Sequence, residues 1–175
     1  MNPTAKMIVH IINRQKIRRP HHSRIKTLLN FFMAKTAPGG AIANWSEASL
    51  LLTDDENIRQ IKRQFFDVDR VTDVISFSLH PQPAEGQRRT AEIVVNVEQA
   101  GREGKKRRGM EHEFALYLAH GCDHLAGHDD RTIKERNKMR RRELLWLKEA
   151  ARMNLLSDLF GPASNDRRHS GKNDS

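Results

Sequence analysis

The sequence has a single cysteine, Cys122, among 175 residues, so no disulfide can form within the chain and a reducing compartment is expected. Long hydrophobic runs are also missing. The apolar run nearest the N-terminus, Met7–Ile12, is too short for a membrane span or for the core of a signal peptide. Aromatic residues make up only 6% of the chain, which favours a modest core. These absences predict a soluble cytoplasmic protein with no membrane partner.

Acidic residues are outnumbered, because 22 Asp and Glu face 31 Lys and Arg and give a formal net charge of +9. Such a charge favours a polyanionic partner, with nucleic acid expected ahead of an acidic membrane surface. The alternative is that the charge serves only solubility. The basic runs Arg102–Arg108 and Arg140–Arg142 could contact phosphates, or they could be a solvated loop and a solvated helix face.

The hydrophobic patterns predict one domain that contains strands and helices. Apolar runs rich in β-branched residues predict strands at Met7–Ile12, Trp45–Leu52, Val71–Phe77 and Ile93–Val97. Apolar residues at three- and four-residue spacing predict helices at His21–Lys35, after Thr53, at Glu111–Ala126 and at Thr132–Met153. Thr53 and Glu56 match a capping box that opens the second helix. Beyond residue 160 apolar residues nearly vanish, so we expect a domain at 1–160 and a disordered tail at 161–175.

A candidate metal site lies at the end of the third predicted helix. His120 and His124 are four residues apart, so both imidazoles project from one helix face and can reach one ion. Gly127 permits a positive φ that turns the chain back and brings Asp130 to the same ion. Two histidines and one carboxylate leave the fourth position of tetrahedral zinc open, as in catalytic sites. The sequence therefore predicts one zinc ion bound by His120, His124 and Asp130.

Other residues could serve as the third ligand, and two carboxylates are candidates for a general base. His128 or Asp129 could replace Asp130 as the ligand, and both aspartates could instead cap the following helix. Gly121 stands where a zinc peptidase of the His-Glu-x-x-His type has its general-base glutamate, which disfavours peptide hydrolysis. Two other carboxylates, those of Glu92 and Glu113, could be placed near the site by the fold.

The segment that follows His120 resembles the signature His-Gly-x-Leu-His-Leu-x-Gly-Tyr-Asp-His of the YbeY family of metal-dependent endoribonucleases. Six residues match the signature: His120, Gly121, His124, Leu125, Gly127 and Asp129. Asp123, His128 and Asp130 replace its leucine, its tyrosine and its third histidine. Aspartate also ligates zinc, so the last replacement implies a retuned metal site at the same place.

Two further motifs extend this resemblance to about Met7–Met153. Thr72–Phe77 resembles the family's Thr-Asp/Asn-Val-Leu-Ser-Phe strand, and Ala91–Val95 resembles its Gly-Asp-Ile-Val-Ile strand. The resemblance implies an α+β fold: a single domain with a mixed four-stranded sheet packed with helices, in which the metal-binding helix lines a cleft. It also implies hydrolysis of RNA phosphodiester bonds in ribosomal RNA maturation and ribosome quality control, with ribosomal RNA or the small ribosomal subunit as partner.

One departure from the family concerns phosphate binding. The family has Tyr-Arg ahead of the Thr-Asp-Val strand, whereas this chain has Phe65 and Phe66 there. Arg63, one helical turn earlier, is the predicted catalytic arginine, and Arg70 is its alternative; both could also be solvated surface charges. Two other functions remain open: a non-catalytic, metal-containing ribosome assembly factor, and a zinc metallopeptidase.

Overall fold

The computed structural model describes residues 7–36, 45–79 and 89–163. Its elements in chain order are β1 (Ile8–Asn13), β2 (Arg18–Pro20), α1 (His22–Lys35), β3 (Trp45–Thr53), α2 (Asp55–Phe66), β4 (Val74–Leu79), β5 (Arg89–Asn96), α3 (Val97–Gly104), α4 (Met110–Leu125), α5 (Ile133–Arg152) and β6 (Phe160–Ala163). Each predicted strand and helix overlaps one of these elements. Within the described ranges, none of the helices has the length and apolarity that crossing a membrane requires.

Four strands form one mixed sheet in the order β1-β3-β5-β4. β1, β3 and β5 run parallel, and β4 pairs antiparallel with β5 at one edge. The expected α+β fold with a mixed four-stranded sheet is therefore confirmed. β2 and β6 form a separate antiparallel pair that the sequence did not predict.

The two faces of the sheet carry different helices. On one face, α1, α3, α4 and α5 surround the main hydrophobic core. On the other face lies α2, whose Ile58 packs with Ile75 and Val94. Successive strand residues point to opposite faces, which is why Val74 belongs to the main core and its neighbour Ile75 to the α2 side. The predicted metal-binding helix α4 and the arginine-bearing helix α2 therefore lie on opposite sides of the sheet.

Gly121 lets α4 approach the sheet closely. A Cβ atom at this position would lie 2.9 Å from Val74 Cγ2 and 3.4 Å from Ile93 Cγ2. A larger residue would therefore push the helix away from β4 and β5, because protein cores have little free space. This contact fixes the depth at which the neighbouring residue His120 lies between the sheet and α5.

The capping box predicted at Thr53 and Glu56 is wrong. Thr53 is the last residue of β3, and Asp54 caps α2 by accepting a hydrogen bond from the Asn57 amide at 2.9 Å. β3 thus continues one residue further than its hydrophobic pattern. Threonine and aspartate both favour the N-cap position, and here Asp54 occupies it instead of Thr53.

Several strand boundaries also differ from the sequence prediction. The strand predicted from Val71 begins at Val74, because the Asp73 side chain accepts a hydrogen bond from the Val74 amide at 2.9 Å and ends the preceding turn. The strand predicted at Ile93–Val97 is β5, which ends one residue earlier, at Asn96. The Asn96 side chain then caps α3, a helix that the sequence patterns had not predicted.

The expectation of a disordered tail from residue 161 is wrong for its first three residues. Gly161–Ala163 belong to β6 and pair with β2, where Arg18 is opposite Ala163. A strand partner from the N-terminal part of the chain orders this segment although it has few apolar residues. Residues 164–175, the rest of the expected tail, lie outside the described residues.

Candidate metal centre

His120 and His124 lie in the last turns of α4 with their imidazoles turned toward one another. Their Nε2 atoms are 3.1 Å apart, and the ring centroids are 4.5 Å apart. Asp130 joins them from the segment after the helix, so that one ligand atom of each of the three side chains lies within 4.8 Å of the others. The structure thus brings the three predicted ligands into one group that could hold a metal ion.

Glu143 on α5 orients His120. Its Oε1 lies 2.6 Å from His120 Nδ1, and only 3% of the Glu143 side chain is exposed. Burial by itself would lower the pKa of His120, but the hydrogen bond and charge of Glu143, together with the charges of Asp73 and Asp130, outweigh burial and raise it. The surroundings of His120 therefore favour positive charge at this point.

The turn after α4 orients His124. Gly127 adopts a φ of +88°, which reverses the chain, and its amide donates to the His124 carbonyl at 2.9 Å. The reversed chain places the His128 carbonyl oxygen 3.0 Å from His124 Nδ1. The glycine turn expected from the sequence is therefore present, and its main chain supplies an acceptor to the second imidazole.

The partners of the two Nδ1 atoms determine the state of the two Nε2 atoms. A carboxylate and a carbonyl are acceptors, so Nδ1 of both His120 and His124 must donate, and in neutral imidazoles both Nε2 atoms then carry a lone pair and no proton. Two lone pairs that face each other at 3.1 Å repel unless a cation lies between them. The arrangement therefore needs a shared proton or a metal ion.

The donor set fits a metal such as zinc. Zinc–nitrogen bonds of about 2.0–2.1 Å in tetrahedral geometry place neighbouring ligand atoms roughly 3.3 Å apart, close to the observed separation of the two Nε2 atoms. Metal-bound histidines also commonly donate their second nitrogen to a carboxylate or a main-chain carbonyl, as His120 and His124 do here. His120, His124 and Asp130 are the residues that would hold the ion.

A buried ion pair supports the turn that carries the His128 carbonyl. Asp123 is fully buried, and its two carboxylate oxygens accept hydrogen bonds from Arg142 Nε and Nη2 at 2.8 and 2.9 Å. The same carboxylate lies 2.9 Å from His128 Nδ1. Asp123 thereby links α5 to the turn after α4, and Arg142, which the basic run suggested as a phosphate contact, pairs with this buried carboxylate instead.

The contacts of the alternative third ligands favour Asp130. The His128 imidazole is turned toward Asp123. The Asp129 carboxylate accepts from the main-chain amides of Asp130 and Arg131 and pairs with the Arg131 side chain, and these contacts lower its pKa. Both alternatives are thus engaged elsewhere, whereas an oxygen of Asp130 faces the two imidazoles.

A cleft of about 470 Å³ opens beside the centre, and α4 lines it with Leu116, Tyr117 and His120. The cleft wall contains three arginines, Arg107, Arg136 and Arg140, and four acidic side chains, those of Asp73, Glu103, Asp130 and Glu143. Burial raises the pKa of Tyr117 to about 12, and the negative charges of Glu113 and Asp73 add to this, so its phenol stays protonated at neutral pH. The cleft thus offers both hydrogen-bond donors and positive charge next to the candidate metal group.

The structure does not bring every candidate to this cleft. Arg63 is exposed on α2 across the sheet and is not among the described residues that line the cleft. Glu92 points to the α2 face of β5, where it is exposed. Glu113 is buried two turns before His120, and its Oε1 lies 3.5 Å from Arg107 Nη1. Two of the three cleft arginines come instead from the basic runs, Arg107 from the first and Arg140 from the second, and Arg136 lies between the runs on α5.

Replacing Glu143 by glutamine should weaken metal binding. Glu143→Gln keeps an acceptor beside His120 Nδ1 but removes the negative charge, so we expect an affinity for zinc that is lower by about 10- to 100-fold. Competition with a chromophoric chelator measures this affinity. Glu149→Gln is the matched control, because Glu149 lies on the same helix and makes an exposed ion pair with Lys35; an equal effect of both variants would contradict the role of Glu143.

Comparisons with known proteins agree with this architecture. Residues 10–151 match the family model of endoribonuclease YbeY. The endoribonuclease YbeY of Elusimicrobium minutum is 34% identical over 136 residues, which cover 76% of this chain and 92% of that protein. The one from Myxococcus xanthus is 38% identical over 96 residues, or 53% of this chain, but the match spans only 33% of that longer protein.

A solved structure shows the same fold. The solution structure of a protein from Thermotoga maritima superposes with a TM-score of 0.52 at 22% sequence identity, covering 86% of this chain and 96% of that one. The family model matches most of the described residues, and the match to the Elusimicrobium relative covers nearly all of that protein. The chain belongs to the endoribonuclease YbeY family.

Proposed function

We propose that this protein is a metal-dependent endoribonuclease that hydrolyses RNA phosphodiester bonds with one zinc ion held by His120, His124 and Asp130. The observation that carries the proposal is the convergence of these side chains beside a cleft lined by arginines. Relatives that bear the name endoribonuclease support it. Ribosomal RNA, in maturation and quality control of the small ribosomal subunit, is the proposed substrate. The proposed catalytic domain ends with β6 at Ala163, and the proposed location is the cytoplasm.

The residues of the cleft would have different roles in RNA hydrolysis. The ion would act as a Lewis acid toward a phosphoryl oxygen or a water molecule. Arg107 and Arg140 would contact the phosphate and offset the negative charge that develops during hydrolysis. Tyr117, with its proton retained, would donate a hydrogen bond to the same phosphate. Glu143 would keep the His120 imidazole oriented with Nε2 toward the ion.

In this proposal Arg63 does not take the phosphate-binding role that the family pattern assigns to an arginine. It is exposed on α2, on the far side of the sheet from α4. Arg63 would therefore contact a phosphate further along a longer RNA rather than the one that is cleaved. Arg140 takes over the role at the cleaved phosphate, because it lines the cleft and its Nη1 lies 3.8 Å from Glu143 Oε2.

A non-catalytic ribosome assembly factor is the second candidate function. The observation that favours it is Phe66, which stands where the family has its arginine. Such a protein would contain metal and bind RNA in a salt-sensitive way without cleaving it. A zinc peptidase is less well supported, because Gly121 packs against the sheet and supplies no carboxylate; turnover of peptides would distinguish it.

Loss of a histidine ligand should abolish cleavage but preserve RNA binding. In His124→Ala we expect the rate of RNA cleavage to fall by more than about 100-fold, since loss of an outer-shell partner alone costs roughly 10–100-fold. The measurement is gel analysis of ribosomal RNA incubated with the zinc-loaded protein, with binding followed by filter retention. His22→Ala, an exposed histidine at the start of α1, is the control. Undiminished cleavage by His124→Ala would refute the enzymatic role of this site.

Two neighbouring arginines of α5 allow a test of the phosphate contact at constant net charge. Arg140 lines the cleft, whereas Arg141 is exposed and does not line it. We expect Arg140→Ala to lower kcat/KM for RNA cleavage by about tenfold or more, the usual effect of losing a charge-assisted hydrogen bond. Arg141→Ala should change kcat/KM far less. Equal losses in the two variants would show that only the overall charge of the helix matters.

A further inference from the structure

An exposed aromatic cluster lies on the face of the sheet opposite the metal centre. Phe65 and Phe66, at the end of α2, have 61% and 50% of their surface exposed. Both rings contact Phe77 of β4: the Phe66 ring stacks on it with centroids 5.8 Å apart and planes 16° apart, and the Phe65 centroid lies 5.4 Å away. We call these three residues the aromatic platform.

Phe77 packs against the core between α2 and the sheet, but Phe65 and Phe66 are not part of that core. Ile58 of α2 is fully buried against the sheet and Ile61 packs beside it, so the helix is already anchored through its apolar face. Leu79, two residues after Phe77 and therefore on the same face of β4, is also half exposed and extends the apolar surface. Single exposed apolar side chains are ordinary, but several in mutual contact mark a binding surface.

Basic side chains lie close in sequence to the platform, in a segment that also contains Asp67 and Asp69, and Asp69 pairs with Arg59. Lys62, Arg63 and Arg70 come from the last turns of α2 and from the loop that follows it, and none of them forms an ion pair with another described residue. Burial, together with the nearby charge of Arg70, lowers the pKa of Lys62, so these two cations lie close to each other. Unpaired cations beside flat aromatic rings are complementary to the phosphates and bases of a single-stranded nucleic acid.

The chain also connects this surface to the cleft. α2 ends at Phe66, and the following loop leads to Asp73, which lines the cleft next to His120. Asp73 lines the cleft together with His120 and directly precedes β4, the strand that carries Phe77. A polymer that leaves the cleft past Asp73 would therefore meet the platform around the edge strand β4.

We propose that the aromatic platform stacks with unpaired bases of a single-stranded segment of the RNA, while Lys62, Arg63 and Arg70 contact the adjoining phosphates. The inference rests on the proposed function, since it assigns the platform to the same RNA substrate. It gives Phe66 a role of its own. The family resemblance leads one to expect an arginine that binds a phosphate at this position, whereas this chain has an aromatic ring that can stack on a base. The platform would select RNA that presents unpaired bases at a set distance from the cleaved bond.

The test is a double-mutant cycle between Phe66 and single bases of the RNA. A labelled single-stranded RNA of about 12 nucleotides, in the range that such surfaces bind, is titrated under conditions in which gels show it intact. We expect Phe66→Ala to weaken binding by about fivefold or more, as stacking on one aromatic ring contributes this much. Phe66→Tyr should restore it. An RNA with an abasic nucleotide at the stacked position should bind the wild type more weakly than the intact RNA does. Phe66→Ala should bind this abasic RNA as well as the wild type does.

Leu145→Ala is the control, because Leu145 is 66% exposed on α5, away from the platform; it should bind RNA like the wild type. Unchanged binding by Phe66→Ala, or an equal loss with intact and with every abasic RNA, overturns the proposal. So does a Phe66→Ala effect confined to self-association in sedimentation, which would make the surface a protein interface. Cleavage of RNA by the wild type is measured separately. Coupling between Phe66 and a base without cleavage would support base stacking on the platform and contradict the endonuclease function. Cleavage without such coupling would support the endonuclease function and contradict base stacking.

Discussion

Two neighbouring residues of α5, Arg142 and Glu143, position the candidate metal centre at the end of α4. Glu143 accepts the Nδ1 proton of His120, and Arg142 pairs with the fully buried Asp123, which fixes the turn after α4. Loss of one partner of such a buried pair commonly costs about 3–5 kcal/mol, because the other charge is left unpaired. The docking of α5 on α4 therefore orients the candidate ligand His120 and fixes the turn that contacts His124.

Much of the fold could be predicted because hydrophobic periodicity is a local property. β1, α1, β3, α4 and α5 follow their apolar patterns closely, and the pair of histidines with the glycine turn is a local motif as well. Where the sequence offered two neighbouring cap residues, Thr53 and Asp54, pattern reasoning chose the wrong one. α3 was missed because it is short and includes only the first basic residue, Arg102, of the basic run, although Asn96 was a usable N-cap signal.

The partners of the ligands could not be predicted, since they come from another helix. The one sequence signal was Glu143, a charged residue within the buried stripe of α5 that also contains Met139 and Leu147. Two departures from the family pattern, Asp123 and His128, looked independent in the sequence, yet the structure places their side chains in contact. The opposite faces of the sheet separate the cleft from Phe66, a fact that depends on strand order and register rather than on any local motif.

We propose that His120, His124 and Asp130 together bind a divalent metal ion. The most direct test of this proposal is the metal content of the purified protein, by elemental mass spectrometry after dialysis, for Asp130→Ala beside Asp129→Ala. Asp130 faces the imidazoles, whereas the Asp129 carboxylate is engaged with Arg131. We expect about one ion per chain in the wild type and in Asp129→Ala, and a large loss of metal in Asp130→Ala. Full metal retention in Asp130→Ala, or loss only in Asp129→Ala, would contradict the proposal.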